Sequence, residues 1–199
     1  MALSFVAVGA KVTAAITNAI ITLVNAQGLT AIVPASVAGT GVTVSAGGKV
    51  SFTGTQSISI NGCFSSTYEN YMIVVATASA AASASLSLKM RLAGVDAATN
   101  YNINKSELNS GGAQTNTNLA AQTSAPFSRT GSGGGSTKAE MFAPALATAT
   151  RVITLTTDAD FFSSTSWVSH TTATAYDGLT ITTTQNITGT IRVLGYNNS

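Results

Sequence analysis

From Lys49 onward, short segments of the chain alternate apolar and polar side chains with a period of two. The clearest segment is SLSLKMRL, in which serine, lysine and arginine separate four apolar residues: Leu86, Leu88, Met90 and Leu92. Successive side chains of a β-strand point to opposite faces of a sheet, so the alternation predicts strands with one buried face. This pattern constrains the chain to form sheets rather than a helical bundle.

Several further segments have the same character, and turn signals such as Asn61-Gly62 and Asp177-Gly178 separate them. We predict about eight strands within residues 49–199, forming one antiparallel β-sandwich or jelly-roll domain. The last strand, ITGTIRVLGY, is expected to complete a sheet. The other side chains predicted to face the core are Val50, Phe52, Ile58, Ile60, Ile153, Leu155, Leu179, Ile181, Ile187, Ile191 and Val193.

Charged residues make up only 8% of the chain, against about 25% in an average protein. The surface is therefore expected to be rich in serine and threonine, which suits a protein covered by neighbouring copies. The net charge is +2 and the nine basic residues are scattered, so no nucleic-acid partner is expected. The single cysteine, Cys63, is expected to pack as a small apolar side chain.

Residues 11–27 show a helical period instead, within an N-terminal unit assigned to residues 1–28. A helix this short is marginal by itself, and isoleucine-rich stripes favour three-stranded association. We therefore predict a homotrimer assembled through this helix; the alternative is a helix that folds back onto its own β-domain. The segment is too polar to insert into a membrane. The predicted oligomerisation residues are Val12, Ile16, Ile20 and Leu23.

Two segments lack clear periodicity. Residues 29–48 mix glycine and proline with β-branched residues, and we predict an extended linker there. Residues 109–138 are rich in Gly, Ser, Thr, Asn and Gln and are predicted to form long loops, either a binding surface or simply variable loops. The glycine-rich run at 131–138 lacks the order of a phosphate-binding loop.

The residues give little support to catalysis. His170 is the only histidine, and a set with Ser169 and Asp177 can be written, but no nucleophile-elbow motif accompanies it. Asp158 and Asp160 alternate, yet they lack the ligand density of a calcium loop and are expected at a turn. We predict that the protein is not an enzyme and carries no cofactor or metal.

Aromatic side chains with a polar edge suit sugar-binding and protein-interface surfaces. On this basis a ligand surface is predicted at Tyr101, Trp167 and Tyr176. The alternative is that these residues lie at the edge of the core.

Four segments together resemble the C-terminal β-domain of virion proteins of tailed bacteriophages, namely minor tail or fibre proteins and head decoration proteins. They are CFSSTYENYMIVV (63–75), LKMRLAGVDAATNYN (88–102), AYDGLTI (175–181) and ITGTIRVLGYN (187–197). The resemblance implies a trimeric, non-enzymatic particle component that is assembled in the host cytoplasm, is located in the virion and contacts capsid or tail proteins through its N-terminus. The hypothesis is a structural appendage that projects a β-domain, with attachment to a host-surface glycan as an added role. The alternative is a carbohydrate-binding adhesin or lectin-like module.

Overall fold

The computed structural model describes residues 28–80 and 82–197. Throughout that part the protein is mainly β, with antiparallel strands in one large hydrogen-bonded sheet and no helix. The predicted β class is confirmed there, whereas the predicted helix and its four oligomerisation residues lie outside the described residues. The strands are β1 (Leu29–Ala31), β2 (Ser36–Ala38), β3 (Val42–Val44), β4 (Val50–Asn61), β5 (Asn70–Ala80), β6 (Ala84–Leu92), β7 (Val95–Asp96), β8 (Tyr101–Leu108), β9 (Gln114–Gln122), β10 (Ala125–Thr130), β11 (Gly135–Phe142), β12 (Thr150–Asp158), β13 (Ser163–His170) and β14 (Gly178–Tyr196).

The centre of the sheet is the long strand β14. Its first half pairs with β6 and with the second half of β4, and its second half pairs with β5 and with the first half of β4. The register shifts between Thr182 and Ile187, where the strand changes partner. The last strand therefore completes the sheet, as the sequence predicts.

The sheet folds over on itself. Its hydrogen-bonded order is β10-β6-β14-β5-β11-β12-β13-β8-β9, yet β10 also contacts β11, β12, β13 and β8. Hydrogen bonds between hydroxyl groups connect β10 to β5 and β11. Thr77 of β5 donates to Thr130 at 2.7 Å, and Ser128 shares a hydrogen bond with Thr137 of β11. These contacts enclose the core.

The alternation in the sequence correctly identifies most of that core. All but three of the predicted inward side chains are buried: Val50, Phe52, Ile58, Ile60, Leu86, Leu88, Met90, Leu179, Ile181, Ile187, Ile191 and Val193. The prediction is wrong for Leu92, which is exposed because β6 ends there and enters the turn at Ala93-Gly94.

Strand β12 has the opposite phase to the predicted one. Ile153 and Leu155 are exposed, whereas Val152, Thr154 and Thr156 face the core. The hydroxyl of Thr156 shares a 2.9 Å hydrogen bond with Thr137, which lowers the cost of burying this threonine, whereas the buried Thr154 hydroxyl has no hydrogen-bond partner within the described residues. The apolar residues of β12 are consequently left on the outer face.

The segment 109–138, predicted as loops, contains β9, β10 and the start of β11. Strand β9 is almost entirely exposed and pairs only with β8 among the described strands. It has no apolar face, so its backbone hydrogen bonds to β8 are what make it a strand. Strand β10 is short but buries Ala125 and Phe127. The prediction of loops is wrong here because polar residues occupy ordered strands.

The segment 29–48, predicted as an extended linker, lies along the sheet. Its strand β1 pairs with β14, and β2 and β3 pair with β4. Gly39 and Gly41 have positive φ, and a Cβ at either would meet a carbonyl oxygen of β4 within 2.5 Å. Glycine therefore permits the tight turn that brings β2 and β3 back to the same strand.

Candidate binding site

Two of the three predicted ligand residues are buried. Tyr101 is 1% exposed and Tyr176 is 5% exposed. Their hydroxyls have partners inside the protein: Tyr101 accepts from the Met90 amide at 2.7 Å, and Tyr176 shares a 2.6 Å hydrogen bond with His170 Nε2. The prediction that these tyrosines form a ligand surface is wrong, because the fold turns their polar edges inward.

His170 is part of this buried aromatic cluster. Its ring stacks on Tyr101 with centroids 4.3 Å apart, and Nδ1 has no hydrogen-bond partner within the described residues. Burial lowers the pKa of His170 below its ordinary value. The imidazole is hydrogen-bonded to Tyr176 rather than to a serine. Ser169, His170 and Asp177 therefore do not form a catalytic triad.

Trp167 is the predicted ligand residue that does reach the surface. It lies on the outer face of β13 and is 47% exposed. It is opposite Ile153 of β12 on one side and Asn104 of β8 on the other. These three strands place the indole on the outer face of the sheet, away from its edges.

A groove of about 350 Å³ lies over this face. Its apolar part includes Phe142, Ile153 and Trp167, each more than one-third exposed. Solvent-facing residues of an antiparallel sheet are normally polar. This part of the groove is apolar instead, because β12 has the opposite phase to the predicted one and turns Ile153 outward beside Trp167.

Polar side chains also line the groove. Asn102 accepts a 2.9 Å hydrogen bond from the Ala121 amide, which fixes the orientation of its side chain. Asn104 and Asn118 are cross-strand partners on β8 and β9. Arg151 and Ser169 face each other on β12 and β13. The groove thus combines an aromatic floor with amide, hydroxyl and guanidinium groups, as ligand sites commonly do.

Sequence reasoning identified Trp167 but missed the asparagines and Arg151. One signal was available, since the run YNIN places Asn102 and Asn104 on the same face of a strand. That they share this face with Trp167 depends on the pairing of β8 with β13.

No protein-family model matches this chain, and no curated protein matches it significantly. In the part of the chain that the structure describes, no helix is long and apolar enough to span a bilayer.

The remaining chemical candidates form structural contacts. Asp158 accepts hydrogen bonds from the amides of Asp160 and Phe162 and lies 3.6 Å from Arg129 Nε. Among residues 28–80 and 82–197, no group of three or more His, Cys, Asp or Glu side chains could hold a metal ion. Cys63 is buried, and desolvation raises the pKa of its thiol, so the group is an unreactive core side chain.

Proposed function

We propose that this protein is a non-catalytic structural component of a tailed-bacteriophage particle, a trimeric fibre, minor tail or decoration protein whose β-domain projects towards the host surface. A helix predicted from the sequence at residues 11–27 would hold three copies together and attach them to capsid or tail proteins. The described domain, with its folded-over sheet, would correspond to the β-sandwich or jelly roll expected of such an appendage.

The observation that carries the proposal is a set of contacts between the four resembling segments. Asp177 accepts hydrogen bonds at its backbone oxygen from Cys63, and at its carboxylate from the Ala93 amide. Its own amide donates to the Arg91 oxygen at 3.0 Å. Three of the segments therefore meet at one residue, and the fourth pairs with the first through β14 and β5. The four segments thus form one contiguous unit of the β-domain, as the proposed appendage requires.

A second group of contacts supports the same unit. Arg91 donates to Asn61 at 2.7 Å and is ion-paired with Asp96, whose carboxylate also accepts from Thr180 at 2.7 Å. Arg91 and Asp96 thus connect β4, β6, β7 and β14, which suits a domain that must withstand mechanical force.

Labelling of virus particles tests the proposal. Antibody fragments raised against recombinant residues 29–199 should bind to one class of site on purified phage particles whose genome carries this gene. Electron microscopy of the labelled particles is the measurement. Pre-absorbing the antibody with the recombinant protein is the control and should remove the label. Labelling that stays in the particle-free fraction would contradict the proposal.

The second candidate function, a carbohydrate-binding adhesin, is favoured by the Trp167 groove. An exposed indole offers a flat apolar face to a sugar ring, and the nearby amides can bond to hydroxyls. The two functions are compatible in a particle appendage that attaches to a cell surface. Recombinant protein that competes with particles for adsorption to host cells would support this added role.

A further inference from the structure

Arg151 differs from the other arginines of the chain. Its guanidinium has no hydrogen-bond or ion-pair partner among the described residues, whereas Arg91 and Arg129 face aspartates and Arg192 donates to a backbone oxygen. Of the described residues that line the Trp167 groove, it is also the only charged one. An unpaired cation in such a site is complementary to an anionic group on a ligand.

The register of the sheet places this cation beside the indole. Arg151 opposes Ser169, and Ile153 opposes Trp167, so Arg151 and Trp167 are diagonal neighbours. Diagonal neighbours lie about 7–8 Å apart, within reach of long and aromatic side chains. A ring lying on Trp167 can therefore carry a substituent at its edge that reaches the guanidinium.

The opposite side of Trp167 offers hydroxyl-binding groups. Asn104 is directly across from Trp167, and Asn118 is directly across from Asn104. Neither asparagine side chain has a hydrogen bond to another group in residues 28–80 and 82–197. Each amide supplies two donor hydrogens and one acceptor oxygen, which matches the vicinal hydroxyls of a sugar.

The geometry points to an acidic saccharide as the ligand of the Trp167 groove. The sugar ring stacks on Trp167, its hydroxyls bond to Asn104 and Asn118, and a ring carboxylate pairs with Arg151. A flat apolar protein surface fits less well, because it would bury these amides and the guanidinium without partners. The inference rests on the proposed attachment function and adds the class of sugar.

Trp167 is the only tryptophan of the chain, so its fluorescence reports on the groove alone. We would titrate the protein with tetragalacturonate and with a hyaluronan tetrasaccharide, up to about 10 mM, which covers weak single-site binding. Fully methyl-esterified tetragalacturonate is the matched neutral ligand. A saturable change in emission with the acidic sugars, and binding of the ester weakened by roughly tenfold, is expected from one lost charge contact.

The variant Arg151→Gln should weaken binding of the acidic sugar by roughly tenfold and leave binding of the ester unchanged. Arg151→Lys should restore part of the preference, because lysine keeps the charge but not the planar fork. Lys49→Gln is the control, since it removes an exposed positive charge outside the groove. Arg151 and Lys49 are both exposed, and thermal unfolding should confirm that the three variants fold normally.

Equal affinity for acid and ester, or an unchanged preference in Arg151→Gln, would overturn the inference. The absence of any fluorescence response to both acidic sugars would also overturn it. These failures concern the groove alone, because antibody labelling of particles does not depend on sugar binding. The proposed structural function could therefore stand while this inference fails.

Discussion

His170 and Tyr176 are polar residues placed in the centre of an aromatic cluster. Their 2.6 Å hydrogen bond satisfies one nitrogen of the imidazole, while Nδ1 has no partner within the described chain. Adding a proton would place a charge in the core, where the loss of solvation outweighs the favourable interaction with the Asn100 backbone and lowers the pKa of His170. The cluster therefore links the stability of the β-domain to pH at a single residue.

We expect the protein to lose stability as the pH falls below about 6.5, the ordinary pKa of histidine. The folded protein holds the pKa of His170 lower, so the unfolded chain binds the proton first. Above that pH the stabilising contribution of neutral His170 is fully present. Below it, the free energy of unfolding should fall by up to about 1.4 kcal/mol per pH unit, until the pH reaches the pKa of His170 in the folded protein. Urea unfolding between pH 8 and 5 measures this slope.

The matched variant for this experiment is the pair His170→Phe and Tyr176→Phe, which removes both hydrogen-bonding groups and keeps the aromatic packing. Because the chain has no other histidine, its stability should be nearly flat over the same pH range. An unchanged slope in this variant would show that another group causes the loss.

Phe161 occupies a strained position in the turn between β12 and β13. Its φ is 58° and its side chain is 86% exposed. The left-handed region is costly for a bulky residue, whereas asparagine tolerates it. Phe161→Asn should therefore stabilise the protein by about 0.5–1 kcal/mol, measured as a rise in Tm.

The neighbouring residue provides the contrast. Phe162 is buried, and the Arg129 guanidinium lies 4.3 Å from the centre of its ring. Phe162→Ala should destabilise the protein by about 3–5 kcal/mol. A lower Tm for Phe161→Asn would mean that the exposed ring makes a stabilising contact in solution.

At the scale of elements, β14 contributes most to holding the sheet together, because its second half pairs with β4 on one side and with β5 on the other. Removing residues 187–199 deletes three buried side chains, Ile187, Ile191 and Val193. Each stabilises the core by about 1.5–3 kcal/mol, against a typical total of about 5–15 kcal/mol. We expect the truncated protein to be unfolded or insoluble by circular dichroism and light scattering.

A single substitution supplies the graded control for this truncation. Ile191→Ala should lower the free energy of unfolding by about 2–5 kcal/mol while the remaining protein still unfolds cooperatively. If the truncated chain melts cooperatively and stays soluble, β14 is peripheral to the core and its assigned role is wrong.

At the scale of the whole molecule, the question is how copies associate. The sequence predicts a homotrimer through residues 11–27, a segment outside the described residues. Replacing both Ile16 and Ile20 with Asp would place six carboxylates at a threefold axis, a cost that a short bundle cannot meet. The variant should be monomeric by light scattering and keep the β-rich circular dichroism of the wild type.

Two results would change this prediction. A wild-type protein that is monomeric in solution and not threefold in the particle would contradict the trimer. A variant that stays trimeric would move the interface to the β-domain, where the exposed apolar residues Val74, Leu108 and Leu155 are the first surface to test.

The period-two pattern by itself determined the β class, most of the core and the role of the terminal strand. These are local properties, because alternation along a strand follows from the backbone geometry. The pattern failed for β9, whose polar residues form an exposed strand that only hydrogen bonding to β8 defines. A strand without an apolar face leaves no periodic signal to detect.

Only the tertiary structure decided which face of each strand is buried where both faces are plausible. In β12, either Ile153 and Leu155 or Val152 and the threonines could have pointed inward. The same applies to the aromatic residues: Tyr101 and Tyr176 turned into the core, and Trp167 remained outside. The physical reason is that burial depends on strands far away in sequence, such as β10 folding over the sheet, whereas alternation records only that the two faces differ.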